Sequence, residues 1–192
     1  LKVPVRRIKM RLFELAHSKI KEIIKVGDCC IDATLGNGHD SLFLAQQISP
    51  PGRVFSFDIQ ESAIHEAGSK LDAAGLGEFV SIIHDCHTNI EEKVPIQYHG
   101  EIAIAMYNLG YLPGGDHSIK TIYETTTNSL LTTYELMKPS GLISVLCYRG
   151  QAGGAKELDE VEKLCSVQKW SFEKFQGSNN PASPVLIVIR KS

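Results

Sequence analysis

Apolar residues recur along the chain with two different periods, and the switches between them mark out the elements. Ile8, Leu12, Leu15, Ala16, Ile20, Ile23 and Ile24 recur at spacings near three and four. That is one stripe of an amphipathic helix, ended by Gly27, and it predicts a helix over residues 1–26 with its basic side in solvent. Short apolar runs then alternate with helical patterns. Strands are predicted at 29–34, 53–59, 79–84, 102–107 and 142–148, with helices reaching Ile48 and spanning 61–74, 119–137 and 155–166. Pro50-Pro51-Gly52 and Lys138-Pro139-Ser140-Gly141 read as breaks. The tail offers two more strands, near 168–175 and 185–190, with no helix between them. Strands alternating with helices predict a parallel α/β sheet, and the final hairpin places one antiparallel strand in it. The expectation is a single domain over residues 1–192, with a seven-stranded, mostly parallel sheet and helices on both faces.

Composition leaves that picture standing and removes some functions. The 192 residues are 43% hydrophobic and 22% charged with a net charge of −2, which is ordinary for a globular protein. There is no run of 18 apolar residues, so no membrane association is expected. No secretory signal pattern is visible; the chain begins at Leu1 rather than Met, which leaves a trimmed leader open. Cys29, Cys30, Cys86, Cys147 and Cys165 form no C-x-x-C pair, which points to buried thiols in a reducing compartment. The charge is unevenly placed. Residues 1–25 hold Lys2, Arg6, Arg7, Lys9, Arg11, Lys19, Lys21 and Lys25 against Glu14 and Glu22, a surplus of +6 that leaves −8 for the remainder. The cluster Arg6, Arg7, Lys9, Arg11 suits a nucleic acid backbone, and a solvated helix face is the plainer reading.

Candidate chemistry begins at Asp32-Ala33-Thr34-Leu35-Gly36-Asn37-Gly38-His39-Asp40, between a strand and a helix. Glycines there let backbone approach a ligand, and the helix start offers free N–H groups. The third position of a dinucleotide fingerprint is Ser41, not glycine. Asp32 beside the turn would repel a pyrophosphate and favour a sulfonium or ammonium, which points to S-adenosylmethionine. A ligand-free tight turn is the alternative. Asp58, followed by Ile59 and Gln60, ends the second strand where an acid can hold ribose hydroxyls, or it caps a helix. Asp85, Cys86 and His87 follow the third strand, where they can flank an adenine; Asp85 could instead be a cap. His84 and His87 lack an evident third ligand, so no metal is expected. A nicotinamide dehydrogenase and a non-catalytic RNA-binding scaffold are the competing classes.

The fourth strand ends in Asn108-Leu109-Gly110-Tyr111, in the place where nucleobase amino-methyltransferases carry Asp/Asn-Pro-Pro-aromatic. Together with Asp32–Asp40, Phe57-Asp58-Ile59-Gln60 and the whole run Asn108–Asp116, this resembles the bacterial and plant rRNA-methylase family represented by MnmM-type tRNA methyltransferases, from about Ile20 to Lys191. The resemblance implies a Rossmann-like class I methyltransferase. It would use S-adenosylmethionine to methylate the 5-aminomethyl group of the wobble uridine in tRNA, forming 5-methylaminomethyl-2-thiouridine, with rRNA or another acceptor as the alternative. Asn108, Tyr111 and Asp116 are the expected catalytic residues; Asp116, His39 or His117 would take the proton. Asp32, Gly36, Asn37, Gly38, His39, Asp40, Asp58, Ile59, Gln60, Asp85, Cys86, His87 and Asn108 would hold the cofactor. Arg6, Arg7, Lys9, Arg11, Tyr111, Gly114, His117, Tyr148 and Arg149 would meet the anticodon stem-loop. The family pattern Tyr-x-Gly-His stands here as Tyr148-Arg149-Gly150-Gln151. A homodimer is left open. The compartment would be the cytoplasm of a bacterium, or the plastid or another organelle of a plant.

Overall fold

Alternation along the strands gives the sheet two apolar faces. Ile31, Tyr107, Val145 and Ile187 belong to one buried cluster, and their neighbours Cys30, Met106, Leu146 and Leu186 to the other. The computed structural model describes residues 3–112, 114 and 118–192. In chain order the elements are β1 (Val5–Arg7), α1 (Leu12–Lys21), β2 (Cys29–Asp32), α2 (His39–Gln47), β3 (Arg53–Asp58), α3 (Glu61–Ala73), β4 (Val80–His84), α4 (Ile90–Lys93), β5 (Ile102–Asn108), α5 (Tyr123–Leu136), β6 (Met137–Cys147), α6 (Gly154–Val167), β7 (Ser171–Gln176) and β8 (Val185–Arg190). The sheet order is β1-β7-β8-β6-β5-β2-β3-β4. Among the strands of the described residues, only β8 runs antiparallel, against both β6 and β7. The helices α4, α5 and α6 cover the first face; α1, α2 and α3 cover the second.

The sheet has eight strands where the sequence predicts seven. The extra one is β1, which pairs in parallel with β7 from Val5↔Lys174 to Arg7↔Gln176. All three of its residues are exposed, so the strand carries no apolar alternation and is recognised by its backbone pairing with β7. The expected 1–26 helix therefore starts only at Leu12. Its docking is apolar: Leu12, Ala16 and Ile20 are buried at four-residue spacing, and each large one contributes about 1.5–3 kcal/mol. The break at 138–141 is a bulge inside β6, with the register stepping from Ile102↔Met137 to Ile104↔Leu142 and Ser140 at φ 65°. The α5 helix begins at Tyr123, four residues later than its pattern predicts.

This topology locates the site. From β2 the chain builds outward through β3 and β4, then returns to lay β5 on the other side of β2. The loops leaving β2 and β5 thus part in opposite directions, and a crevice opens between them at the carboxyl edge. Among the described residues no helix is long and apolar enough to cross a membrane.

Candidate functional site

A cleft of about 500 Å³ opens at that crevice, walled by the loops after β2, β3, β4, β5 and β6. The structure brings most of the expected cofactor residues to it: Gly36, Asn37, His39, Asp40, Asp58, Ile59, Gln60, Asp85, Cys86, His87 and Asn108 all line it. Asp58 is the hinge of this wall. Its Oδ2 accepts the Gly36 N–H at 2.9 Å and its Oδ1 accepts the Gln60 N–H at 2.9 Å, while the α3 cap falls at Gln60. Both oxygens keep a free lone pair for a further donor. Ile59 beside it is 53% exposed, an apolar face for a flat ring. Asp85 Oδ1 accepts the Cys86 N–H at 2.7 Å and the Asn89 amide at 2.8 Å. The Asn89 bond, followed by the Cys86 bond, holds its carboxyl below the usual range.

Two expected contacts turn out to be internal. Asp32 does not line the cleft; it is fully buried beneath the turn. Its carboxylate accepts the Thr34 N–H at 3.2 Å and the Ser41 hydroxyl at 2.6 Å, and Ser41 also meets Ser56 at 2.7 Å. Burial, then the charge of Asp40, pushes Asp32 up to about 7. Gly38 caps α2 at φ 75°, and a Cβ there would stand 2.8 Å from Ala67 Cβ. Its glycine serves the close approach of α2 to α3, so Asp32 and Gly38 shape the turn from behind.

His87 is buried, and its Nδ1 lies 3.2 Å from the Ala33 carbonyl oxygen. A carbonyl only accepts, so Nδ1 carries the proton and Nε2 is left as a bare acceptor. Burial pushes the imidazole below its ordinary value, which keeps it neutral at pH 7. Nε2 of His87, Oδ1 of Asn37 and Oε1 of Gln151 are buried without a hydrogen-bond partner among the described residues, and all three residues line the cleft. Orphaned acceptors cost free energy unless donors meet them, and the hydroxyl and amino groups of a nucleoside are such donors. A nucleoside-bearing cofactor therefore fits the donor side of the cleft.

The acceptor side is the loop after β5. The Asn108 side chain is exposed, and its backbone N–H donates to Thr34 Oγ1 at 2.7 Å, which ties the two halves of the crevice together. Tyr111 lines the cleft and bridges to Lys120, narrowing the base of the loop. Tyr148, from the end of β6, also lines it, and burial pushes its phenol up. Gly114 is exposed and outside the lining residues. Asp116 and His117 lie outside the described residues.

The basic residues divide. Arg6 pairs with Glu173 at 2.6 Å, so it holds β1 down instead of standing free. Arg149 is likewise committed: Nε donates to the Ser183 carbonyl at 2.7 Å and a terminal nitrogen to Asn180 at 3.2 Å, bracing the loop between β7 and β8. Arg7, Lys9 and Arg11 are exposed. No group of three metal-ligating side chains occurs among the described residues. The residues that sequence reasoning missed are Thr34, Lys70, Thr121, Gln151 and Glu157. Lys70 reaches the Asn37 carbonyl from α3. Glu157 carried a legible signal, a charge inside the buried α6 stripe of Leu158, Val161 and Cys165.

The same chain is matched from residue 54 to residue 191 by the family model described as "Putative rRNA methylase". The chloroplastic tRNA (mnm(5)s(2)U34)-methyltransferase of Arabidopsis thaliana is 39% identical over 190 residues, covering 93% of this chain and 68% of that protein. A Clostridium thermocellum crystal structure of the same rRNA-methylase description is 35% identical with a TM-score of 0.87, over 99% of this chain and 100% of that one. A Streptococcus mutans protein assigned as a methyltransferase and crystallised with SAH is 29% identical with a TM-score of 0.82, over 96% of this chain and 100% of that one. The matched span takes in β3 through β8 and with them Asp58, Asp85, Asn108 and Tyr148 of the cleft wall, so the chain belongs to the rRNA methylase family of methyltransferases.

Proposed function

We propose that the protein transfers a methyl group from S-adenosylmethionine to the 5-aminomethyl group of the wobble uridine in tRNA, giving 5-methylaminomethyl-2-thiouridine. The observation that carries this reading is the Asn108–Thr34 bond, which fixes an exposed amide side chain at the mouth of a nucleoside-fitting cleft. The named substrate of the Arabidopsis relative supports the acceptor, and the SAH complex of the Streptococcus mutans protein supports the cofactor.

When bound, S-adenosylmethionine supplies an electrophilic methyl on a positive sulfonium. Around it the chain's own groups fall into roles. The free lone pairs of Asp58 suit two ribose hydroxyls, and Ile59 and Asp85 flank the space for the base. The acceptor is an aliphatic amine, protonated in water near neutral pH, so a proton must leave before nitrogen attacks. Asn108 Oδ1 accepts an N–H of the amine and turns its lone pair toward the methyl; that orientation supplies most of the acceleration. His39, at the cleft wall, takes the proton directly or through water, with Asp116 and His117 as the other acceptors. Tyr111 and Tyr148 stack on the extruded base.

An anticodon stem-loop fits the surface beside the cleft. Arg7 stands in one row with Gln176, Val185 and Cys147 at the carboxyl ends of β1 and β6. Three strand spacings separate those ends, about 14 Å, so Arg7, Lys9 and Arg11 emerge near enough to meet phosphates flanking the target base. In this reading all 192 residues act as one methyltransferase domain, in the plastid for a plant source and the cytoplasm for a bacterial one.

The test is incubation with tRNA carrying 5-aminomethyl-modified wobble uridine and methyl-labelled S-adenosylmethionine, followed by mass spectrometry of the nucleosides. The wobble nucleoside gains one methyl, and Asn108→Ala lowers kcat about 100-fold. Label appearing in rRNA alone would replace the acceptor. A melting shift with NAD and none with S-adenosylmethionine would overturn the cofactor.

A further inference from the structure

The carboxylate of Glu157 lies outside the cleft wall, yet it touches the loop that carries Asn108. Glu157 sits on α6 and is 4% exposed. A carboxylate buried so deeply is costly unless its oxygens are met by donors. Both are met by hydroxyls: Oε1 accepts from Thr126 at 2.6 Å and Oε2 from Thr121 at 3.0 Å. Thr121 then engages one residue completely. Its Oγ1 accepts the Gly110 N–H at 2.9 Å, and its own N–H donates to the Gly110 carbonyl at 2.9 Å. Gly110 lies two residues beyond Asn108 and one before Tyr111, at φ 137°, against the Gln151 side chain.

The order of donors matters. A threonine hydroxyl has one hydrogen and two lone pairs. Because that hydrogen is drawn to Glu157, a lone pair of Thr121 is turned toward Gly110. We propose that Glu157 is a positioning residue for the methyl transfer, acting through Thr121 to hold Gly110, and with it the Asn108 and Tyr111 side chains, in register with the donor side of the cleft. The inference rests on the proposed function for its reaction, and on the Glu157–Thr121–Gly110 chain for its geometry. Thr126 completes the clamp by joining α5 to the same carboxylate, so three elements converge on one side chain.

Replacing Glu157 with glutamine leaves one oxygen for two hydroxyls and turns an N–H₂ donor toward the other. Thr121→Val removes the hydroxyl at nearly constant shape, and Thr121→Ser keeps it. The experiment measures kcat and KM on 5-aminomethyl tRNA, SAH affinity by calorimetry, and amide exchange over residues 108–112 in each variant. Thr121→Val and Glu157→Gln lower kcat about tenfold or more, leave SAH affinity within about twofold, and speed exchange over 108–112; Thr121→Ser behaves as wild type. The inference is overturned if Thr121→Val keeps wild-type kcat and exchange, or if kcat and SAH affinity fall together, as general loosening would make them. A wild-type protein that fails to methylate this tRNA counts against the substrate alone, because the exchange and SAH arms still decide the role of Glu157.

Discussion

The close approach of α2 to α3 behind the cleft makes a quantitative prediction. Gly38→Ala places a methyl 2.8 Å from Ala67 Cβ and 3.0 Å from Ala67 Cα, on a residue with no exposed surface in α3. The obstacle is helix backbone, so relief requires α3 itself to move. The substitution also forces alanine into left-handed backbone at φ 75°, at about 1–2 kcal/mol, offset by about 0.4–1 kcal/mol from the stiffer unfolded chain. Gly75→Ala carries the same two contributions, since its φ is 69°, but nothing lies within 4 Å of its Cβ. The difference between the variants therefore isolates the overpacking, about 1–3 kcal/mol. For a chain of this length that separates the melting temperatures by about 2–12 °C, with Gly38→Ala the lower. Urea unfolding gives the same difference in free energy. SAH should also raise the melting temperature of Gly38→Ala less than that of Gly75→Ala, because the displaced α2 start carries His39 and Asp40 of the cleft. Two variants melting within about 1 °C of each other would refute the claim that Gly38 exists for helix approach.

Asp32, raised to about 7, binds a proton in the native state between about pH 4 and 7 that the unfolded chain has already lost, so its contribution to stability falls as pH rises across that window. Buried His87, shifted below its ordinary value, slopes the other way below about pH 6.5; the urea stability of Asp32→Asn minus wild type, measured from pH 4 to 8, isolates the Asp32 slope, and a flat difference would refute it. Asp58→Ala removes two free acceptor positions from the cleft; with hydrogen bonds to charged groups at about 1.5–3 kcal/mol each, calorimetry should show SAH affinity down about tenfold or more. Replacing Arg7, Lys9 and Arg11 together by glutamine should flatten the salt dependence of tRNA binding by about 2–3 in the log–log slope, with SAH affinity unchanged.

What the sequence made legible was whatever depends on local pattern. The short apolar runs located every strand with apolar faces, and the pairing of a glycine turn with an acid about 20 residues on found Asp58, whose carboxylate does bond the Gly36 N–H. β1 escaped because Val-Arg-Arg has no face to bury; its identity as a strand depends on a partner at Lys174–Gln176, far along the chain. Asp32 and Gly38 were found but given the wrong neighbours, since an acid or a glycine beside a turn reads the same whether it faces a ligand or the next helix. The partners of Arg6 and Arg149 were hidden for a related reason: a basic residue in sequence looks free until the carboxylate or carbonyl beside it is known. Glu157 was the opposite case, a charge in an apolar stripe that periodicity alone could have flagged.

The misplacements and omissions share a physical origin, and it says how the cleft is held. Backbone groups at the ends of β2 and β5 and in the loops that follow are pinned by side chains well separated in sequence: Gly36 by Asp58, Ala33 by His87, Asn37 by Lys70, Asn108 by Thr34, and Gly110 by Thr121, at the far end of its own loop, under Glu157. Every one of these bonds joins a side chain to a backbone group that no helix or sheet partner serves. Loops at a topological switch point must leave such groups unpaired by secondary structure, and burial then obliges a side chain to supply the partner. The residues that do so are therefore dictated by three-dimensional convergence, and no one-dimensional period marks them. In this chain the donor turn and the acceptor loop are not two independent sites sharing an edge. Thr34 belongs to the first and holds the second, so the geometry between cofactor and amine is set by a hydrogen bond internal to the protein before either ligand arrives.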